Sequence, residues 1–192
     1  MPWKAGSVKR IFLTLALLAN LSLLLAIVFG FQIGGAQKLD PITQGRVSTH
    51  MLVGLAALTF ATLVHAILLT YFMGTGRWLE ETSRAYQLDR GWHQQSQKIK
   101  YRTILGMTAC LGLLIATGAA GAAADPATPA SLDGVLGLKG STIHYFTAIF
   151  TSMVNLLVNA VEFFAIAQNT AIIEGVLAEV RRIRIDRGLP VS

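Results

Sequence analysis

Four long apolar runs, almost free of charge, constrain this chain more than any other feature. The first covers residues 11–33 and contains no charged side chain. A helix needs about 20 such residues to cross the hydrocarbon core of a bilayer. The second covers residues 51–74 and is broken only by His65. The third, residues 103–124, is rich in Gly and Ala. The fourth starts near Ser141, stays apolar to Val161 and passes through Glu162 into residues 163–167. Charged residues make up 14% of the chain, against about 25% in soluble domains. That balance excludes a soluble globular protein, and so apolar a chain cannot stay solvated as a disordered one. Lys4, Lys9 and Arg10 give the first run a basic start, as in a signal peptide. The run is too long for a signal's apolar region of roughly 7–15 residues, so it reads as a span.

The sequence therefore predicts an all-α fold, one integral membrane domain over residues 1–192. It is an up-down four-helix bundle with spans at about 11–33, 49–74, 103–124 and 141–169. Between the spans, residues 34–48 carry the turn signals Gly34-Gly35 and Asp40-Pro41, and residues 125–140 hold Pro126, Pro129 and Gly134. The middle connection, residues 75–102, mixes Trp78, Leu79, Tyr86, Leu88 and Trp92 with charges. It reads as helical turns lying in the membrane interface, with Leu79, Tyr86 and Trp78 toward lipid; a docking surface for a cytoplasmic partner is the alternative. A C-terminal helical extension is expected over residues 171–187. There Ile172, Ile173, Val176, Leu177 and Val180 oppose Glu174, Glu179, Arg181 and Arg182.

Of the 16 basic residues, 13 lie in the N-terminal tail, the middle connection and the C-terminal tail. Lys38, Arg46 and Lys139 are the remainder. By the positive-inside rule both termini and the middle connection are cytoplasmic, which places the chain as a multi-pass protein of the plasma membrane. Topology thus accounts for the net charge of +6, and no nucleic-acid partner is expected. No P-loop, Rossmann glycine pattern or Ser/His/Asp signature is present. The lone Cys110 forms no intramolecular disulfide. Lipid is the one certain partner, with other membrane subunits or a second copy as further candidates.

Ionisable side chains inside spans are costly and mark function or tight packing. Here they are His50, His65, His144 and Glu162; His93 lies in the middle connection. His144 and Glu162 are 18 residues apart, about five full helical turns, so they share a face. Thr151, Asn155, Asn159 and Asn169 lie close to the same line. The fourth span thus carries a polar stripe, which must face protein or a cavity. On the second span, Gly54, Ala57 and Ala61 lie on the side that joins His50 to His65. By depth, His50 and His144 meet near the outer surface, and His65 lies level with Asn159 and Glu162.

Two imidazoles at one depth on diagonal helices, with small residues beside one of them, resemble the four-helix membrane b-type cytochromes. That resemblance implies a b-type haem near the outer face, with His50 and His144 as iron ligands, Gly54 beside the macrocycle and His65 as a possible inner ligand. This chain departs from the pattern in lacking a second histidine opposite His65, although Met107 is a conceivable partner. Thr49, Ser141 or a loop carbonyl would orient the outer ligands. Other readings stay open. Both outer histidines sit where a ring is wetted or bonds a backbone carbonyl, and the pair could hold zinc or copper. His65 and Glu162 could lock the bundle or relay protons. Cys110 and Met107 read as packing residues. Three functions follow: a haem-based electron carrier, a cofactor-free accessory or assembly subunit of a larger membrane complex, or a proton or small-solute path along the stripe. No complete catalytic constellation is present, and a di-iron site would want more carboxylates than Glu162.

Overall fold

The structure, a computed structural model, describes residues 5–33, 40–125 and 127–190. Those residues form four helices: α1 (Ala5–Phe31), α2 (Pro41–Tyr86), α3 (Gly91–Ala124) and α4 (Gly140–Asp186). A short 3-10 turn, Val135–Gly137, lies between α3 and α4. All four are long and apolar enough to cross a membrane. They run up and down in a ring, each packed on its chain neighbours, with α1 closing onto α4. α2 and α4 also meet across the shorter diagonal, as the sequence reading required.

The bundle is apolar on its outer face as well as in its core. α1 buries Phe12, Ala16, Ala19, Leu23 and Ala26, a run of three- and four-residue steps that keeps one stripe inward. Its other face leaves Leu17, Leu21 and Leu24 exposed, as lipid contact demands. On α3, Leu105 and Ile115 are likewise exposed while Met107, Cys110 and Leu114 are buried. The polar stripe of α4 points inward: Thr151, Asn155, Asn159, Glu162 and Asn169 are all buried.

α2 begins ten residues before the second apolar run. Asp40 caps it by accepting from the Thr43 N–H and hydroxyl, both at 2.9 Å. Pro41 occupies the first turn, where its missing N–H costs nothing. At 46 residues, α2 is about 70 Å long, roughly twice the hydrocarbon thickness. The middle connection is therefore mostly helix. α2 continues to Tyr86, the chain turns through residues 87–90, and α3 starts at Gly91. Gln87 ends α2 in the left-handed conformation (φ 56°).

The orientation expected for Leu79 is corrected here. Leu79 is fully buried with Ile172 and Val176, and Trp78, Leu88, Trp92 and Ile99 pack around them. The ends of α2, α3 and α4 thus build a second small core beyond the main one, with ion pairs Arg77–Glu81 and Arg84–Glu80 on its surface. α4 reaches it without a break, so the expected C-terminal extension is continuous with the fourth span. This end, which carries the basic turn, is called the basic end below.

At the opposite end, residues 127–139 are irregular, as the prolines and glycines predicted. Gly134 (φ 84°) and Gly137 (φ 69°) supply left-handed backbone that other residues adopt only at a cost. Asp133 accepts the Gly140 N–H at 2.7 Å and so caps α4. Residues 34–39 and Pro126 lie outside the described residues, as does the expected Gly34-Gly35 turn.

Candidate functional site

At the end away from the basic turn, each helix brings one key residue to a common level. These are Gly30 near the end of α1, His50 in α2, Gly121 near the end of α3 and His144 in the second turn of α4. The His50 and His144 rings meet edge to face, with centroids 6.0 Å apart and planes at 69°. Both side chains are half-buried. The expected pair is thus brought together.

Each ring lies against a glycine of a neighbouring helix. His50 Nδ1 lies 3.0 Å from the carbonyl oxygen of Ala26. A carbonyl only accepts, so Nδ1 carries a proton, and in the neutral ring Nε2 keeps its lone pair. Ala26 stands four residues before Gly30, and a Cβ on Gly30 would lie 3.1 Å from His50 Cε1. In the other hairpin, a Cβ on Gly121 would lie 3.0 Å from His144 Cε1. A helical side chain covers the turn N-terminal to its own Cα. Glycine at 30 and 121 leaves that turn bare, so an imidazole can lie on the helix, and at His50 it reaches the carbonyl four residues back. His144 Nδ1 is buried with no partner in hydrogen-bond geometry.

Neither Thr49 nor Ser141 orients the histidines as expected. Thr49 donates instead to the Gly45 carbonyl of its own helix, and a helical carbonyl does the work at His50. Gly54, one turn inward from His50, faces open space: a Cβ there would meet nothing within 4 Å. Phe31 and Tyr145 stack edge to face at 5.2 Å and close the side between α1 and α4.

A second polar centre lies in mid-bundle. His65 and Glu162 are fully buried, and His65 Nδ1 is 2.7 Å from Glu162 Oε1. His65 Nε2 is 3.1 Å from Asn155 Oδ1. The protons can be placed from the outer edge of the network inward. Asn20 Nδ2 donates to the Ala16 carbonyl at 2.7 Å, so Asn20 Oδ1 is the atom facing Asn155. Asn155 Nδ2 donates to it at 3.1 Å. That leaves Asn155 Oδ1 to accept, both from the Cys110 thiol at 3.5 Å and from His65. His65 Nε2 therefore carries a proton. One further proton is shared between Nδ1 and Oε1, as imidazolium with carboxylate or as imidazole with carboxylic acid. With both nitrogens engaged, His65 offers no free lone pair to an iron, and Met107 is a buried core residue.

The Asn159 amide and Glu162 Oε2 are buried without any protein partner. Toward the far end, the Thr117 and Thr151 hydroxyls bond at 2.7 Å. Toward the basic end, Asn169 accepts from Ser96 at 2.7 Å and donates to Tyr71 and Thr75 at 3.2 and 3.1 Å. Between Glu162 and Asn169 stand the buried apolar Ala165 and Ile166, so the stripe is a series of separate polar clusters. Sequence reasoning missed Asn20, Ser96 and Gly30; only the helical register linking Gly30 to Ala26 could have singled out the last.

Among the described residues no three of His, Cys, Asp and Glu gather into a metal-binding cluster. No protein-family model matches the sequence, no curated protein matches it, and no solved structure matches the fold. The reading of function therefore rests on the chain's own chemistry.

Proposed function

We propose that this protein is a small membrane electron carrier that holds one b-type haem between His50 and His144. The meeting of the two imidazoles, each laid against a glycine of a neighbouring helix, carries the reading. A ligand histidine ordinarily donates its second nitrogen to a carbonyl or carboxylate, which fixes the ring and frees the other nitrogen for metal. The Ala26 carbonyl does this for His50.

The residues present fit the group. Both histidines would bring a ring nitrogen to one haem iron, which needs the two rings to be neighbours. The ring centroids are 6.0 Å apart. Zinc wants three or four protein ligands, whereas only two histidines converge here and a macrocycle fills the remaining positions itself. When bound, the haem supplies one-electron redox chemistry, tuned by ligand identity, burial and hydrogen bonding. The protein's part is to hold two neutral imidazoles, exclude water and surround the site with lipid-facing apolar helices.

The basic asymmetry places the basic end in the cytoplasm. Both termini are then cytoplasmic, the haem lies near the outer face, and the membrane is the plasma membrane. Other membrane subunits or a second copy would exchange electrons with it. The test is haem content by residue. The wild type should carry one haem per chain. His50→Ala and His144→Ala should each lose the low-spin spectrum while remaining folded. His93→Ala, at the basic end, should keep it. Full haem retention in both outer variants would overturn the assignment. A protein that binds no haem at all would leave a cofactor-free accessory subunit as the better account.

A further inference from the structure

We propose that Asn159 and Glu162 hold ordered water in mid-bundle, and that this water makes Glu162 a proton-exchange site. The inference is independent of the haem reading and rests on three orphaned atoms. Asn159 Nδ2, Asn159 Oδ1 and Glu162 Oε2 are buried with no protein partner, although Asn159 is 5% exposed and Glu162 0%. The two residues are three apart on one helix, which makes their side chains neighbours. Leaving a buried polar atom unpaired costs about 1–3 kcal/mol, so three of them together call for a ligand.

The donor set identifies it. A cation would satisfy the two oxygens and leave the Nδ2 donor facing a positive charge. Water satisfies all three, accepting from Nδ2 and donating to Oδ1 and Oε2, and it needs only two to four such partners. The groups that face the pair are His65 from α2, Cys110 from α3 through Asn155, and the neutral Asn20 from α1. No other titratable side chain joins this hydrogen-bonded network among the described residues. Because the network fixes the proton on His65 Nε2, Oε2 is the one free oxygen at which the pair can gain a proton. The uptake step balances simply. A hydronium proton that reaches this site is the donor: one of its O–H bonds breaks, an O–H bond forms on Oε2, and neutral water is left in place. No electron moves, and the net charge of the pair rises by one.

Infrared difference spectroscopy on the full chain in lipid would test this. On acidification the wild type should gain a protonated-carboxyl band that shifts in deuterated water and is absent in Glu162→Gln. Asn159→Leu conserves volume, leaves the His65–Glu162 contact in place and serves if Glu162→Gln fails to fold. It should move the band to the frequency of a carboxyl without a water partner. A Glu162 carboxyl that neither responds to pH nor exchanges in deuterated water would overturn the proposal. So would a band that Asn159→Leu leaves unmoved.

Discussion

Gly121→Ala tests the seat of His144 with a single methyl group. The added Cβ would lie 3.0 Å from His144 Cε1 and 3.3 Å from Nδ1, inside ordinary van der Waals contact. The ring must give way by a few tenths of an ångström. Gly112→Ala, on the same helix, is the matched control, because its Cβ would meet nothing within 4 Å. Both changes gain about 1 kcal/mol of helix propensity. Only the first adds an overpacking cost of about 1–3 kcal/mol. The two variants should thus differ in stability by about 1–3 kcal/mol, with Gly112→Ala the more stable. Gly121→Ala should also retain less haem, because the methyl pushes the His144 ring from its place beside His50. Gly30→Ala should repeat the effect at His50, where the approach is 3.1 Å. Thermal unfolding in detergent and haem per chain are the two readouts. If Gly121→Ala matches Gly112→Ala in both, the glycine seats play no part and the argument from them fails.

Ser131→Cys, in the exposed loop before α4, should be labelled by an impermeant thiol reagent only from outside the cell; the buried Cys110 should stay silent, and labelling from the cytoplasm would reverse the topology. His65→Leu or Glu162→Leu should each cost about 3–5 kcal/mol, because each leaves a buried partner uncompensated, while the double variant should recover most of that loss; a double variant that loses the sum of the two single losses would show that the pair is uncoupled. Thr43's N–H and hydroxyl hold the Asp40 carboxyl below its usual range. The cap therefore contributes above the unfolded value of about 3.9 and is lost as pH falls through the lower folded value. Amide exchange at the start of α2 should accelerate only in that acidic window, and Asp40→Asn should remove the pH dependence.

The spans were legible because lipid enforces one rule, apolar outside and polar satisfied within. The stripe from Thr151 to Asn169 followed from helical register alone, and so did the level shared by His50 and His144. What the sequence concealed was mostly pairing. Leu79 beside charges reads as an interfacial residue until Ile172 and Val176, nearly a hundred positions away, are found to cover it. Gly121 reads as one of several small packing residues on α3, yet it alone underlies His144. Asn20 and Ser96 carry no signal by themselves; they matter because Asn155 and Asn169 reach them across the bundle. Helix ends were misplaced where polar residues continue a helix, as from Pro41 to Thr49, because hydropathy marks the membrane and a side-chain cap marks the helix.

The central claim is the haem between His50 and His144, and a reduced-minus-oxidised optical spectrum tests it most directly. The protein would be made in cells supplied with haem and purified in mild detergent. Two neutral imidazole ligands predict a Soret band and, on reduction, the sharp visible bands of a low-spin six-coordinate b-type haem, at one per chain. A colourless protein, or a haem whose low-spin bands survive loss of both His50 and His144, would contradict it.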